Sequence, residues 1–134
     1  MKVLRGTCLC EAVRFEAEDN FEQFHLCHCD QCKKISGGAH VSNLFLTPSR
    51  FTWLSGKQQI NQYDVPGRNI SNAFCKHCGS PVPYLSSSKR WVIVPAGSLD
   101  SSPSLAPQDH IFVKEKATWY KNIRGIKQYS GFPE

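Results

Sequence analysis

Seven cysteines stand in three tight groups along 134 residues. Cys8 and Cys10 form a C-x-C pair, and Cys75 and Cys78 form a C-x-x-C pair followed by Gly79. Cys27, Cys29 and Cys32 form a C-H-C-x-x-C group. Sulfurs two or three residues apart reach one point only where the backbone bends sharply. Gly79 suits such a bend, because glycine adopts positive φ without steric cost. Zinc takes four sulfurs tetrahedrally in closed sites and three protein ligands where a corner is kept open. The two pairs make one closed set of four, and the trio makes an open set. Cys10 and Cys75 must then meet across 65 positions. A structural zinc contributes about 10–16 kcal/mol in small peptides, enough to tie distant strands together.

Disulfides are the alternative reading of a cysteine-dense chain. An odd count, pair spacings that make poor staples, and an opening Met-Lys-Val-Leu-Arg without a signal-peptide stretch oppose it. C-x-x-C in a reducing compartment points to metal or redox chemistry. No βαβ pattern surrounds either C-x-x-C, which argues against a thioredoxin-like role. The chain is therefore expected in the cytoplasm as a single domain over residues 1–134. No run approaches the ~18 apolar residues of a membrane span. The formal charge of +5 counts every thiol as neutral. Two zincs add four positive charges and seven thiolates remove seven, leaving about +2. Arg68, Lys76, Lys114, Lys121, Arg124 and the other cations are scattered, so a nucleic-acid partner is not expected.

Val13, Phe15 and Ala17 alternate with charged residues, which predicts a half-buried strand. Further strands are expected over 21–26, 40–46, 51–54, 60–65, 70–74, 91–94 and from 111. Asp30 is expected to cap a short helical turn ended by Gly37-Gly38. Eight prolines and nine glycines punctuate the chain at short intervals. An all-β fold of short antiparallel strands around zinc fits this rhythm.

A zinc held by three thiolates carries a net charge of −1, which weakens it as a Lewis acid. It suits a soft fourth ligand, so an incoming thiol would be held as its nucleophilic thiolate. The chemistry implied is carbon–sulfur bond making and breaking on a substrate thiol.

Gly6-Thr7-Cys8-Leu9-Cys10, Val13-Arg14-Phe15-Glu16 and Cys27-His28-Cys29-x-x-Cys32-x-Lys34-x-Ser36-Gly37 resemble the glutathione-dependent formaldehyde-activating family. Phe74-Cys75-x-x-Cys78-Gly79-Ser80, Ala96-Gly97-Ser98-Leu99-Asp100, His110-Ile111-Phe112-Val113 and Trp119 continue the resemblance. It implies a β-tent-like all-β zinc fold, related to the domain of centromere protein V. It also implies a structural zinc at Cys8, Cys10, Cys75 and Cys78, and a catalytic zinc at Cys27, Cys29 and Cys32. The implied activity is that of a carbon–sulfur lyase joining glutathione, or a similar thiol, to formaldehyde or another small aldehyde. The family usually has glycine after the first pair, where this chain has Glu11.

His28 lies within the trio, but alternation along an extended backbone would turn it away from Cys27 and Cys29. His25, His40 and His77 are expected at the surface or behind the ligands. His110 is expected to be a packed or capped residue rather than a catalytic base, and Trp53, Trp91 and Trp119 to be core anchors. A histidine closing the trio would leave two structural zincs and a non-catalytic module that binds protein or nucleic acid. A metal or thiol-stress sensor is a third reading.

Overall fold

The computed structural model describes residues 2–133. Alternation dominates the first strands. In β1 (Val3–Thr7) and β2 (Arg14–Glu18), Leu4, Phe15 and Ala17 are buried while Arg5 and Arg14 face solvent. These strands pair antiparallel, and β5 (Phe51–Ser55) completes a three-stranded sheet on the far side of β2. A second sheet has five strands in the order β10-β3-β4-β9-β8. They are β3 (Gln23–Cys27), β4 (Val41–Leu46), β8 (Tyr84–Leu85), β9 (Val92–Pro95) and β10 (Asp109–Ile111). A third, two-stranded sheet joins β6 (Ile60–Asp64) to β7 (Ser71–Cys75).

Residues from the first two sheets build the main core, around Leu4, Phe15, Phe24, Leu44, Leu46 and Val94. Burying each such side chain is worth about 1.5–3 kcal/mol. A second cluster, around Val13, Ala73, Val82 and Ile93, includes Cys8 and Cys75. The one α-helix among the described residues is α1 (Asp30–Ser36), set between β3 and β4. The architecture is mainly β, with small sheets, and its pairings are antiparallel except β10 with β3.

Several boundaries differ from the sequence expectation. β1 was not foreseen, because Gly6 interrupts its apolar pattern. The last strand covers Asp109–Ile111 rather than starting at Ile111, since Phe112 takes a left-handed backbone at φ 56° and turns the chain. Trp53 and Trp91 pack against the core, whereas Trp119 is 65 % exposed. No helix among the described residues is long and apolar enough to cross a membrane.

Candidate functional site

The first cysteine pair lies in a tight loop between β1 and β2. Glu11 N–H donates to Cys8 O (2.9 Å) and Cys8 N–H donates to Val13 O (3.1 Å). Glu11 has φ 67°, a conformation that glycine adopts more easily. The second pair forms a knuckle at the end of β7, where Gly79 N–H donates to Cys75 O (2.7 Å) with Gly79 at φ 76°. Ser80 bridges the two loops. Its Oγ accepts Leu9 N–H (3.0 Å) and lies 3.2 Å from Cys78 Sγ.

The sulfurs of Cys8, Cys10, Cys75 and Cys78 lie within 4.8 Å of one another. Cys8 to Cys10 and Cys10 to Cys75 are each 3.7 Å. Sulfurs placed about 2.3 Å from a central zinc form a tetrahedron with edges of about 3.8 Å. A disulfide would bring them to about 2.05 Å. These distances fit a metal cage, and all seven cysteines are free thiols.

Hydrogen bonds from the Ser80 hydroxyl and backbone hold the Cys78 thiol down at about 5. Cys10 is pushed up to about 11; its backbone bond to Ala12 acts against this, but desolvation and the sulfurs of Cys8, Cys75 and Cys78 prevail. A cation bound among the four sulfurs would favour the thiolate form of each.

The trio is built where β3 runs into α1. Cys27 ends the strand, Cys29 caps the helix and Cys32 sits in its first turn. Their sulfurs also lie within 4.8 Å of one another, and all three residues are buried. The cap is Cys29, whose sulfur accepts Cys32 N–H (3.4 Å), rather than Asp30. Asp30 instead pairs with Lys33 (3.0 Å) and gives its N–H to Glu115 Oε1 (3.0 Å). Gly37 closes the helix in a left-handed conformation, its N–H on Lys33 O (2.8 Å). A hydrogen bond from Cys32 lowers the Cys27 thiol to about 6 against the effect of burial, with help from Cys29 and the Arg68 charge. The same bond, burial and Cys29 raise Cys32. Each cluster can therefore hold a metal ion, four sulfurs in one and three in the other.

Two cavities, of about 200 and 230 Å³, open beside the trio. Cys32, Asn43, Ile70 and Tyr84 line both. The first continues past Ser36, His40 and Ser42 to Gly97. The second is also lined by Cys27 and continues past His25 to Arg68 and Phe112.

Residues 3–115 match the profile of the glutathione-dependent formaldehyde-activating enzyme. The chain belongs to that family. A crystal structure of a Rhodobacter sphaeroides protein is similar in fold, with a TM-score of 0.60 at 23 % identity over 79 % of this chain and 98 % of that one. No curated protein matches the chain. The match to the glutathione-dependent formaldehyde-activating family spans all seven cysteines and ends at Glu115. That residue's carbonyl accepts Lys33 Nζ (2.6 Å), so the matched stretch closes against the helix that carries Cys32. Glu11, at the family's usual glycine, falls on a left-handed residue.

Among the described residues no histidine joins either set of converging sulfurs. His28 is fully buried against His40, His110 and Tyr120, with ring centroids 5.0, 5.0 and 5.2 Å away. Its Nε2 is 2.8 Å from His110 Nδ1, while its Nδ1 is buried without a partner. Burial, followed by the nearby His40 and His110, lowers its pKa. His110 is exposed rather than packed, because the parallel strand β10 lies at the sheet edge. His25 is held between Asp109 Oδ1 (2.5 Å) and Gln23 Oε1 (2.7 Å), and exposed His77 bonds Gln59. The sequence had marked Arg68 only as one scattered cation and had not singled out Ile70 or Tyr84. Val65-Pro66-Gly67-Arg68 carries a visible turn signature, but nothing local says that the turn reaches Cys27.

Proposed function

We propose that the protein is a zinc-dependent carbon–sulfur lyase-type enzyme that adds a thiol, glutathione or a similar one, to formaldehyde or another small aldehyde. The reading rests on one observation: three buried, converging sulfurs, of which Cys32 lines two cavities and Cys27 one, beside a separate set of four. In this reading Cys8, Cys10, Cys75 and Cys78 hold a structural zinc, and Cys27, Cys29 and Cys32 hold the working one. A zinc on the trio supplies an open corner that keeps an incoming thiol ionised.

Cys29 and Cys32 fix their own spacing through the helix cap, so that two of the three sulfurs are set before any ligand arrives. Ile70 and Tyr84 line both cavities beside Cys32 and give the approach to it an apolar wall. The substrate sulfur forms its bond to the aldehyde carbon as the carbonyl π pair moves to oxygen. That oxygen takes up the proton lost by the thiol, so atoms and charge balance without a redox partner. Seven free thiols suit the reducing cytoplasm proposed for the chain.

Cys29→Ser provides the test. Loss of about one zinc per chain, with the circular dichroism of the β fold retained and adduct formation abolished, is expected. Full turnover in this variant would reject the assignment.

A further inference from the structure

We propose that Arg68 forms a carboxylate-binding subsite beside the trio, so that the site selects thiols bearing a carboxylate within reach of their sulfur. This rests on the proposed function and names the residue that sets its substrate class. Val65–Arg68 is a tight turn, with Pro66 second, Gly67 third at φ 74°, and Arg68 N–H on Val65 O (3.3 Å). That is the type II pattern, in which only the third position needs positive φ. The loop is pinned at its far side, where Asn69 Oδ1 accepts the N–H of Ser87 (2.6 Å).

Two further contacts fix the guanidinium. Its Nη1 donates to Gln31 Oε1 on α1 (2.9 Å), and its carbon lies 4.9 Å above the Phe112 ring centroid. Phe112 makes that stack from a left-handed backbone that costs a non-glycine residue roughly 1–2 kcal/mol. Core packing does not account for it, since the ring is half exposed. Strain of this kind collects where a side chain must be aimed. Arginine offers five N–H donors in a planar fork, and the neutral Gln31 engages one nitrogen. No aspartate or glutamate lines the cavity that Arg68 shares with Cys27 and Cys32. Arg68 also enters no ion pair among the described residues. A fixed cation without a carboxylate partner, in an open cavity lined by Cys27 and Cys32, matches a ligand with thiol at one end and carboxylate at the other.

The rival role is a simple counter-charge to the three thiolates, and the test separates the two. Cobalt-substituted protein is titrated with 3-mercaptopropionate and with 2-mercaptoethanol, which differ in carboxylate against hydroxyl at similar reach. The sulfur-to-cobalt absorption band reports binding. The quantity read is the ratio of the two affinities, compared between wild type and Arg68→Gln, which cancels the intrinsic difference between the thiols. A fall in that ratio of about tenfold or more is expected, with 2-mercaptoethanol affinity unchanged. Arg68→Lys retains charge without the planar fork and is expected to lie between. An unchanged ratio, or equal weakening of both thiols, overturns the subsite. If neither thiol alters the spectrum of wild type, the thiol-binding role of the trio falls and the subsite with it.

Discussion

Glu11 holds a backbone conformation that costs a non-glycine residue roughly 1–2 kcal/mol. Its carboxylate pairs with Arg14 Nη2 (2.9 Å) and its carbonyl accepts Arg14 Nε–H (3.1 Å). Both side chains are exposed, and such a pair returns at most about 1 kcal/mol. Glycine would relieve the strain but would lose that pair and add about 0.4–1 kcal/mol of unfolded-chain freedom. The terms nearly cancel, so Glu11→Gly is expected to change thermal stability by less than about 0.5 kcal/mol. Glu11→Ala keeps the strain and loses the pair, and should destabilise by up to about 1 kcal/mol in the same melts. His28 makes a second case. Its folded pKa lies below the usual 6.5, so the unfolded chain binds more protons as pH falls through that value. The stability held by neutral His28 is complete above 6.5 and is lost toward its lower folded pKa. Unfolding of wild type and His28→Phe, compared between pH 7.5 and 6, should show the steeper acid loss in wild type. Equal slopes would mean that His28 is already solvated. Arg68 shows what local sequence conceals, because its partners Gln31 and Phe112 lie 37 and 44 positions away from it.

The segment from β3 through α1 is a strand that ends in one cysteine of the trio and a helix capped by another. Its cysteine spacing and closing glycines were legible as a turn around three sulfurs. The cap was not, because a side-chain oxygen is the usual acceptor there and the sulfur of Cys29 took the place expected of Asp30. Nor was the parallel partner β10, since three residues around an exposed histidine carry no strand pattern. That strand matters here because Ile111 O accepts the backbone N–H of His28 (3.0 Å), between Cys27 and Cys29. Hydrogen exchange should register the link. Stripping metal from the trio is expected to speed exchange at Cys27, His28 and Ile111 while leaving β1, β2 and β5 protected. Uniform acceleration would show that the trio, too, holds the whole fold.

Across the molecule, the spacing of the pairs announced the largest constraint, that the loop after β1 must meet the end of β7. The strand order that brings them together was not readable, because it depends on packing between sheets rather than on any local pattern. Closing a loop of 65 residues costs about 4 kcal/mol of chain entropy, less than the 10–16 kcal/mol available from a structural zinc. A graded chelator should therefore act in two steps: a first metal leaves with the β signal intact, and the second leaves as the chain unfolds. Simultaneous loss in metal analysis and circular dichroism would contradict this division. Ile70 and Tyr84 give the pair of cavities beside the trio a shared wall. In the proposed addition each reactant then has its own approach and need not wait for the other to clear, so initial-velocity plots should converge whichever substrate is varied.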